Sequence, residues 1–504
     1  MKLAQLLSIF PQLRWGEDIA EGSANMDVRE VTSDSRQAGP GVVFVAIRGT
    51  TSDGHRYLPQ AAERGAVALI VEEDSAIPST YRGAVVKVPS TRHALDQVAA
   101  RFYGSPGDQL FCVGVTGTNG KTTVTYMIEC LFNAFGWPTG VLGTIDHHIS
   151  SHRWVSGLTT PDPITLHRRL REFVALGARA AAFEVSSHAL DQSRGISVPF
   201  AVGIFTNLTR DHLDYHVSME AYFACKEKLF LEWLGRHSQV AVAVLNADDP
   251  WAAKTRVKEG VTTWTFGQNA ADFRFKILKQ DLSGSLFHLS TPRGSGEVTL
   301  PCPGLHNVYN AVAAIAAALA AGASLETACE ALSRFSGAPG RMERVFNSRG
   351  LYIYIDYAHT DDALQTVLRA LQEARSVSGS YGRILTVFGC GGDRDRGKRP
   401  LMGRAAAAAS DIVIITSDNP RGEDPLAIIR EIESGIPSGW PGEKIIEPDR
   451  RKALSRALQT AREGDVILIA GKGHEDYQII GNQKYEFSDK RVISELLGEE
   501  SQRT

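Results

Sequence analysis

Short β-branched apolar runs recur along the chain at Val42–Ile47, Ala66–Val71, Leu110–Val115, Ala180–Val185, Val240–Leu245, Leu351–Ile355, Ile384–Phe388, Ile412–Thr416 and Val466–Ala470. Many are followed by glycine or polar residues and then by helix-like sequence. That alternation predicts βαβ units with largely parallel sheets, whose ligands gather beyond the carboxyl ends of the strands. Leu3, Leu6, Leu7, Ile9 and Phe10, ahead of Pro11, predict an amphipathic first helix, with no small-residue cleavage site after it. The uncharged stretch Ala311–Ala323 is mostly alanine. It falls short of the roughly 20 residues that span a bilayer, which predicts a tightly packed buried helix and no membrane insertion. The alanine run 405–409 reads as a further helix packing surface. Breaker clusters at Gly104–Asp108 and Gly337–Gly340 divide the chain into three expected domains, 1–107, 108–339 and 340–504. No fixed-period repeat supports a solenoid.

Composition narrows the function classes. Lys plus Arg number 54 against 57 Asp plus Glu, with no block of like charge, so bulk electrostatics points to no nucleic-acid or membrane-surface partner. Hydrophobic content of 43% and charged content of 22% describe a folded, soluble chain rather than a disordered or membrane one. The six cysteines are scattered, with no CxxC pair and no zinc-finger spacing, which fits a reducing cytoplasm.

The most informative segment is Gly114–Thr123, GVTGTNGKTT, between an apolar run and the helix-like Val124–Phe132. Glycines let backbone N–H groups approach phosphate oxygens, and a helix N-terminus favours negative charge. Lys121 can reach the β/γ-phosphates and the Thr122 hydroxyl can bind Mg²⁺. The segment predicts nucleoside triphosphate binding, although Val115 stands where the strict GxxxxGK[ST] pattern has its first glycine.

TGTNGKTT resembles the ATP loop of the Mur ligase family, the amide-forming synthetases of peptidoglycan assembly. The resemblance implies an α/β fold of three domains, with a central P-loop ATPase-like parallel sheet and a C-terminal Rossmann-like domain. It implies ATP and Mg²⁺ as cofactors, with Gly117, Thr118, Asn119, Gly120, Lys121, Thr122 and Thr123 on the nucleotide. Glu184, in EVSSH, and His212, in TNLTRDHLDYH, match the family's magnesium ligands. Read without the resemblance, Glu184 suits a hard cation, whereas a lone histidine in a polar loop is more often structural. Lys226, in ACKEKLF, matches the position that related ligases carry as a carbamylated lysine, which would turn a cation into an anion beside the triphosphate; unmodified, the segment is an amphipathic helix. Asn310, in GLHNVYN, together with Arg341 and Asp356, matches the second half of the nucleotide site, and the split implies domain closure over ATP. Asn307 in the same motif can equally be a helix cap.

Ser33 and Ser35, with Thr50, Thr51 and Ser52, resemble the uridine-nucleotide segments of the branch that adds the third peptide residue; taken cold they are polar turns. Thr159, Thr160, Ser186, Gln192 and Arg194 match positions that contact the muramoyl peptide, with Leu158 where an asparagine often stands. Asp418, Asn419, Pro420 and Arg421 form the DNPR motif associated with meso-diaminopimelate addition. Arg421 and Arg394 can fork onto the second carboxylate that lysine lacks, while Gly471 and Glu475 are positioned by analogy to hold an ammonium. The resemblance thus implies an ATP-dependent, ADP-forming carboxylate–amine ligase joining meso-diaminopimelate to UDP-MurNAc-L-Ala-D-Glu through an acyl phosphate. It would act in the cytoplasm, as a monomer, with no nucleic acid. The alternatives are a lysine-adding ligase of the same family, a folylpolyglutamate synthetase, or a non-enzymatic nucleotide switch.

Overall fold

The computed structural model describes residues 1–11, 13–14, 24–49, 52–74, 76–236, 240–377 and 382–498. Its contacts divide the chain into two units, one of residues 1–271 with 316–323 and the other of residues 272–315 with 324–504.

The first unit begins with helix Leu3–Leu7, which buries Leu3, Leu6 and Leu7 and ends before the expected Ile9 and Phe10. A five-stranded sheet follows, in the order Leu13–Arg14, Ala84–Lys87, Ala68–Val71, Val42–Val45 and Glu30–Thr32. All its pairs are parallel except the first. Further along, strands follow in the order Thr262–Gly267, Val242–Asn246, Phe200–Phe205, Phe111–Thr116, Ala180–Glu184 and Thr139–Leu142, all parallel. Asp146–Ile149 and His152–Val155 extend this edge antiparallel. Strands such as Phe200–Phe205 and Ala180–Glu184 are buried along their whole length, which is why they read as continuous apolar runs instead of alternating ones. Phe111–Thr116 pairs on both sides with strands that come later in the chain, so the loop leaving it opens between their carboxyl ends.

In the second unit, Phe273–Asp281, Gly284–Thr291 and Gly294–Leu300 form an antiparallel meander. A six-stranded sheet runs Glu343–Val345, Tyr352–Asp356, Val466–Ala470, Ile384–Phe388, Ile412–Ile415, Glu443–Ile446, parallel except for its first pair. From Ile384–Phe388 the chain order runs one way through Ile412–Ile415, while Val466–Ala470 inserts on the other side. This Rossmann-like switch point opens a crevice between the ends of those strands.

The alanine-rich segment is helix Leu305–Ala320, with Ala311 through Leu319 fully buried, as its composition predicts. The helix starts at Leu305, so Asn307 lies inside its first turn and donates from Nδ2 to Pro303 O at 2.8 Å. In Lys398–Ala409 the packed residues include Gly403, Ala406 and Ala407. Among the described residues no helix is long and apolar enough to cross a membrane.

Candidate active site

The phosphate loop leaves strand Phe111–Thr116 and enters helix Lys121–Ala134, which starts three residues before the expected Val124. Lys121, Thr122 and Thr123 therefore form the first turn, where backbone N–H groups lack helical partners. Gly117 has φ +140° and Gly120 φ +87°. The loop is built on the segment after Phe200–Phe205. Thr206 Oγ1 donates to Asn119 O at 2.6 Å, Asn119 N donates to Asn207 Oδ1 at 3.0 Å, and Thr118 N donates to Asn207 O at 2.9 Å. Lys121 Nζ donates to Gly117 O at 3.0 Å and Thr118 O at 2.9 Å.

Ser218 caps helix Met219–Lys228 by accepting from Ala221 N, and that helix delivers Lys226 to the same carbonyl, with Nζ 2.8 Å from Gly117 O. Lys226 is 1% exposed, and its amine also lies 4.5 Å from the Tyr222 ring centre. Burial, and then the charge of Lys121, drive its pKa well below the ordinary lysine value. It is thus an amine biased towards its neutral, nucleophilic form.

Glu184 ends strand Ala180–Glu184, buried, and its carboxylate accepts from Thr144 N at 2.8 Å and Thr144 Oγ1 at 3.0 Å. His212 sits at φ +52°, half-exposed, 3.5 Å from Asp211 and with its ring 5.0 Å from that of His188. Burial lowers its pKa, against the pull of Asp211. Among the described residues no group of three or more His, Cys, Asp or Glu is placed to hold a metal, so Glu184 and His212 are not brought into such a set. Thr122 and Glu184 are hard oxygen donors suited to Mg²⁺, and a carbamate on Lys226 would add a further anion beside the loop.

Five of the expected substrate residues form one connected network around Glu184. Thr159 Oγ1 lies 3.1 Å from Thr144 Oγ1, and Thr160 Oγ1 donates to Glu184 O at 2.7 Å while accepting from Ser186 N at 3.0 Å. Ser186 also caps helix Ser187–Asp191. Arg194 Nη1 donates to Thr160 O at 3.1 Å, and its Nε and Nη2 donate to Gln192 Oε1 at 3.1 and 2.5 Å.

Ser33 and Ser35 follow strand Glu30–Thr32, and Ser52 lies in the connection after the neighbouring Val42–Val45, so both segments leave the same sheet end. Ser33 is exposed; Ser35 is buried, with Oγ 2.9 Å from Gln60 Oε1; Ser52 Oγ lies 3.2 Å from Tyr57 OH. Thr50 and Thr51 lie outside the described residues.

In the second unit, Asn310 Nδ2 donates to Asn307 Oδ1 at 3.4 Å. The Arg341 guanidinium stacks over Tyr357, 4.6 Å from the ring centre. Asp356 accepts from Met342 N at 2.7 Å and Ala358 N at 2.8 Å. Its pKa is raised by burial, partly offset by Arg341. At the switch point, Asn419 Nδ2 donates to Glu475 Oε2 at 2.9 Å, and Lys472 Nζ lies 3.1 Å from Glu475, 3.4 Å from Asn419 Oδ1 and 3.7 Å from Asp418. Burial raises the Asp418 pKa, against the attraction of Lys472. Gly471 is at φ +105°, and a Cβ there would stand 2.7 Å from Asp418 Oδ2. Pro420 leads into Arg421, at φ +49°, whose Nη1 donates to Gly392 O at 2.9 Å. Gly391 faces both arginines: a Cβ there would come 2.9 Å from Arg421 Nη1 and 3.6 Å from Arg394 Cγ. Thr144 and Lys472 are not among the site residues that the sequence predicts. Lys472 was visible as a lysine between two glycines after an apolar run, whereas Thr144 carries no sequence signal.

A glycine loop between a buried parallel strand and a helix, with lysines converging on it, defines a P-loop nucleotide-dependent α/β enzyme. Three family models match in succession: the Mur ligase family catalytic domain over residues 27–103, the Mur ligase middle domain over 115–318, and the Mur ligase glutamate ligase domain over 340–473. The chain belongs to the Mur ligase family. It is similar to the UDP-N-acetylmuramoyl-L-alanyl-D-glutamate--2,6-diaminopimelate ligase of Geobacter metallireducens, 42% identical over 492 residues that cover 94% of this chain and 95% of that one. The protein of the same name from Aquifex aeolicus is 43% identical over 472 residues, 94% of each chain. A solved structure bearing this name superposes with a TM-score of 0.73 at 33% identity, covering 99% of both chains.

Proposed function

We propose that this Mur ligase joins meso-diaminopimelate to the D-glutamyl γ-carboxylate of UDP-MurNAc-L-Ala-D-Glu at the expense of ATP, as a cytoplasmic step of peptidoglycan precursor synthesis. The observation that carries the amino-acid assignment is the polar cluster at the C-terminal switch point. There the buried Asp418, Asn419 and Lys472 and the half-buried Glu475 form one network beside Arg421 and Arg394. Carboxylates suit the ammonium of an amino acid, and guanidinium forks suit a second carboxylate, which lysine does not have. A site built for that group leaves charge unpaired with lysine and discriminates by roughly 10⁴-fold.

The γ-carboxylate attacks the γ-phosphate of ATP, giving an acyl phosphate and ADP. The diaminopimelate amine then attacks the acyl carbon and phosphate leaves, so no side-chain nucleophile is needed. In this reading residues 1–107 hold the uridine nucleotide through Ser33, Ser35, Thr50, Thr51 and Ser52. Residues 108–339 hold the peptide through Thr159, Thr160, Ser186, Gln192 and Arg194, and ATP through Gly117 to Thr123 with Asn310. Residues 340–504 supply Arg341 and Asp356 to the nucleotide and the DNPR and Gly471–Glu475 loops to the amino acid. Lys121 and the loop N–H groups neutralise the transferring phosphoryl group, an electrostatic and positioning role. Mg²⁺, held by Thr122, Glu184, His212 and Lys226 as a carbamate, would add to that neutralisation. The carbamate forms when the neutral Lys226 amine attacks carbon dioxide, making an N–C bond and releasing a proton.

Purified protein with Mg-ATP and UDP-MurNAc-L-Ala-D-Glu is expected to release phosphate and form a tripeptide product only with meso-diaminopimelate. Arg421→Ala is expected to lose that product selectively. Preference for L-lysine would overturn the amino-acid assignment while leaving the family intact, and glutamate addition to folate would replace the substrate assignment altogether.

A further inference from the structure

The donors and acceptors around Arg194 are ordered by a residue outside the set assigned above. Arg194 commits Nε and one Nη2 proton to Gln192 Oε1 and one Nη1 proton to Thr160 O. A guanidinium has five N–H donors, so this arrangement leaves two to meet an incoming carboxylate. It depends on which way the Gln192 amide faces, because its NH₂ turned towards Arg194 would set donor against donor. Gln192 Nε2 donates to Tyr215 OH at 3.2 Å, and Tyr215 OH donates its own proton to Asp191 Oδ2 at 2.8 Å. With its proton committed, the phenol oxygen can only accept from Gln192. Asp191 is itself held by Lys228 Nζ at 3.3 Å from Oδ1. The phenol ring packs against two neighbouring imidazoles, 4.2 Å from the His188 ring centre and 4.8 Å from that of His216.

We propose that Tyr215 is a positioning residue which, through the Gln192 amide, fixes Arg194 for a carboxylate of the muramoyl-peptide acceptor. This rests on the assignment of Gln192 and Arg194 to the acceptor site. Tyr215→Phe removes the hydroxyl and keeps the packed ring. It is expected to weaken UDP-MurNAc-L-Ala-D-Glu binding, read by calorimetry, by up to about 10-fold, the upper end of what one lost hydrogen bond contributes. The KM for that substrate should rise in step, with kcat and the KM values for ATP and diaminopimelate within twofold of the parent. Because Tyr215 acts through Gln192, adding Tyr215→Phe to Gln192→Leu should cost less than a further twofold. Asp191→Ala, which frees the phenol proton, should weaken acceptor binding in the same direction and decides the matter if Tyr215→Phe does not fold. Unchanged acceptor affinity in the folded variant, fully additive effects with Gln192→Leu, or equal losses for all three substrates would each overturn the proposal. Parent protein that binds the acceptor but forms no tripeptide would overturn the reaction assigned above while leaving the binding comparison to decide on Tyr215. Parent protein that does not bind the acceptor would overturn both.

Discussion

At the scale of single residues, two lysines meet at one carbonyl oxygen, with Lys121 Nζ 3.0 Å and Lys226 Nζ 2.8 Å from Gly117 O. Two ammonium groups this close repel each other, and burial adds to the cost of charging Lys226. Conversion of Lys226 to a carbamate would replace that repulsion with attraction. Removing dissolved carbon dioxide is therefore expected to lower the ligase rate and bicarbonate to restore it, with ¹³C-bicarbonate giving a carbamate carbon signal in the parent but not in Lys226→Ala. The variant should lose about 10²-fold in kcat, the scale of removing one electrostatic group from a reacting centre. A second residue makes a pH prediction. His148 Nδ1 lies 2.6 Å from Asp146 Oδ1 and its Nε2 lies 3.1 Å from Glu129 Oε2. Burial opposes its charge, but the hydrogen bonds to Asp146 and Glu129 outweigh burial and raise the pKa from 6.5 to about 9. The folded state binds this proton more tightly than the unfolded chain does. The stabilisation is then complete below pH 6.5 and disappears as pH rises through about 9, amounting to at most roughly 3 kcal/mol. Denaturant titrations of the parent and His148→Gln should show a stability gap that narrows across that interval.

At the scale of elements, strand Phe111–Thr116, its loop and helix Lys121–Ala134 act as one device because the loop has no freedom to stand elsewhere. A Cβ on Gly117 would lie 1.9 Å from Thr206 Oγ1, at φ +140°. Gly117→Ala must therefore break the Thr206 bridge to Asn119 as well as strain the backbone. Its expected outcome is loss of about 1–3 kcal/mol of stability and at least about a 10-fold weaker ATP affinity, checked by thermal melts with and without nucleotide. The strand–loop–helix order was legible in sequence, since glycines, an apolar run and a lysine-threonine pair are contiguous. Strands Ile384–Phe388 and Val466–Ala470 also occupy their expected residues, because both are fully buried and bounded by turns. The first helix is shorter than its apolar pattern predicts: Ile9 is exposed at 36%, and the pattern does not distinguish a helical residue from one that merely follows the helix.

At the scale of the whole molecule, a single carboxylate ties together distant stretches of chain. Within the first unit, Asp96 of helix Thr91–Phe102 is fully buried and accepts from Gly195 N at 2.8 Å and Ser197 N at 2.6 Å, 99 and 101 residues away, with His167 Nε2 at 3.2 Å. It thereby anchors the chain that leaves Arg194. Asp96→Ala leaves the Gly195 and Ser197 N–H groups without this acceptor, and at about 1–3 kcal/mol each the expected loss is roughly 2–6 kcal/mol by denaturant unfolding. Its acceptor KM should also rise.

What the sequence by itself determined is whatever is written in neighbouring residues: the buried parallel strands, the phosphate loop, the alanine-packed helix Leu305–Ala320 and the DNPR turn. Each follows from steric and hydrophobic preferences acting over a few bonds. Tertiary structure alone decided that Thr144 would hold Glu184 from 40 residues away, that Lys472 would sit between Asp418 and Glu475, and that Tyr215 would orient Gln192. These polar pairings leave no periodicity in the chain. A buried donor or acceptor must find a partner somewhere, but only the packed fold determines which one lies within hydrogen-bonding distance.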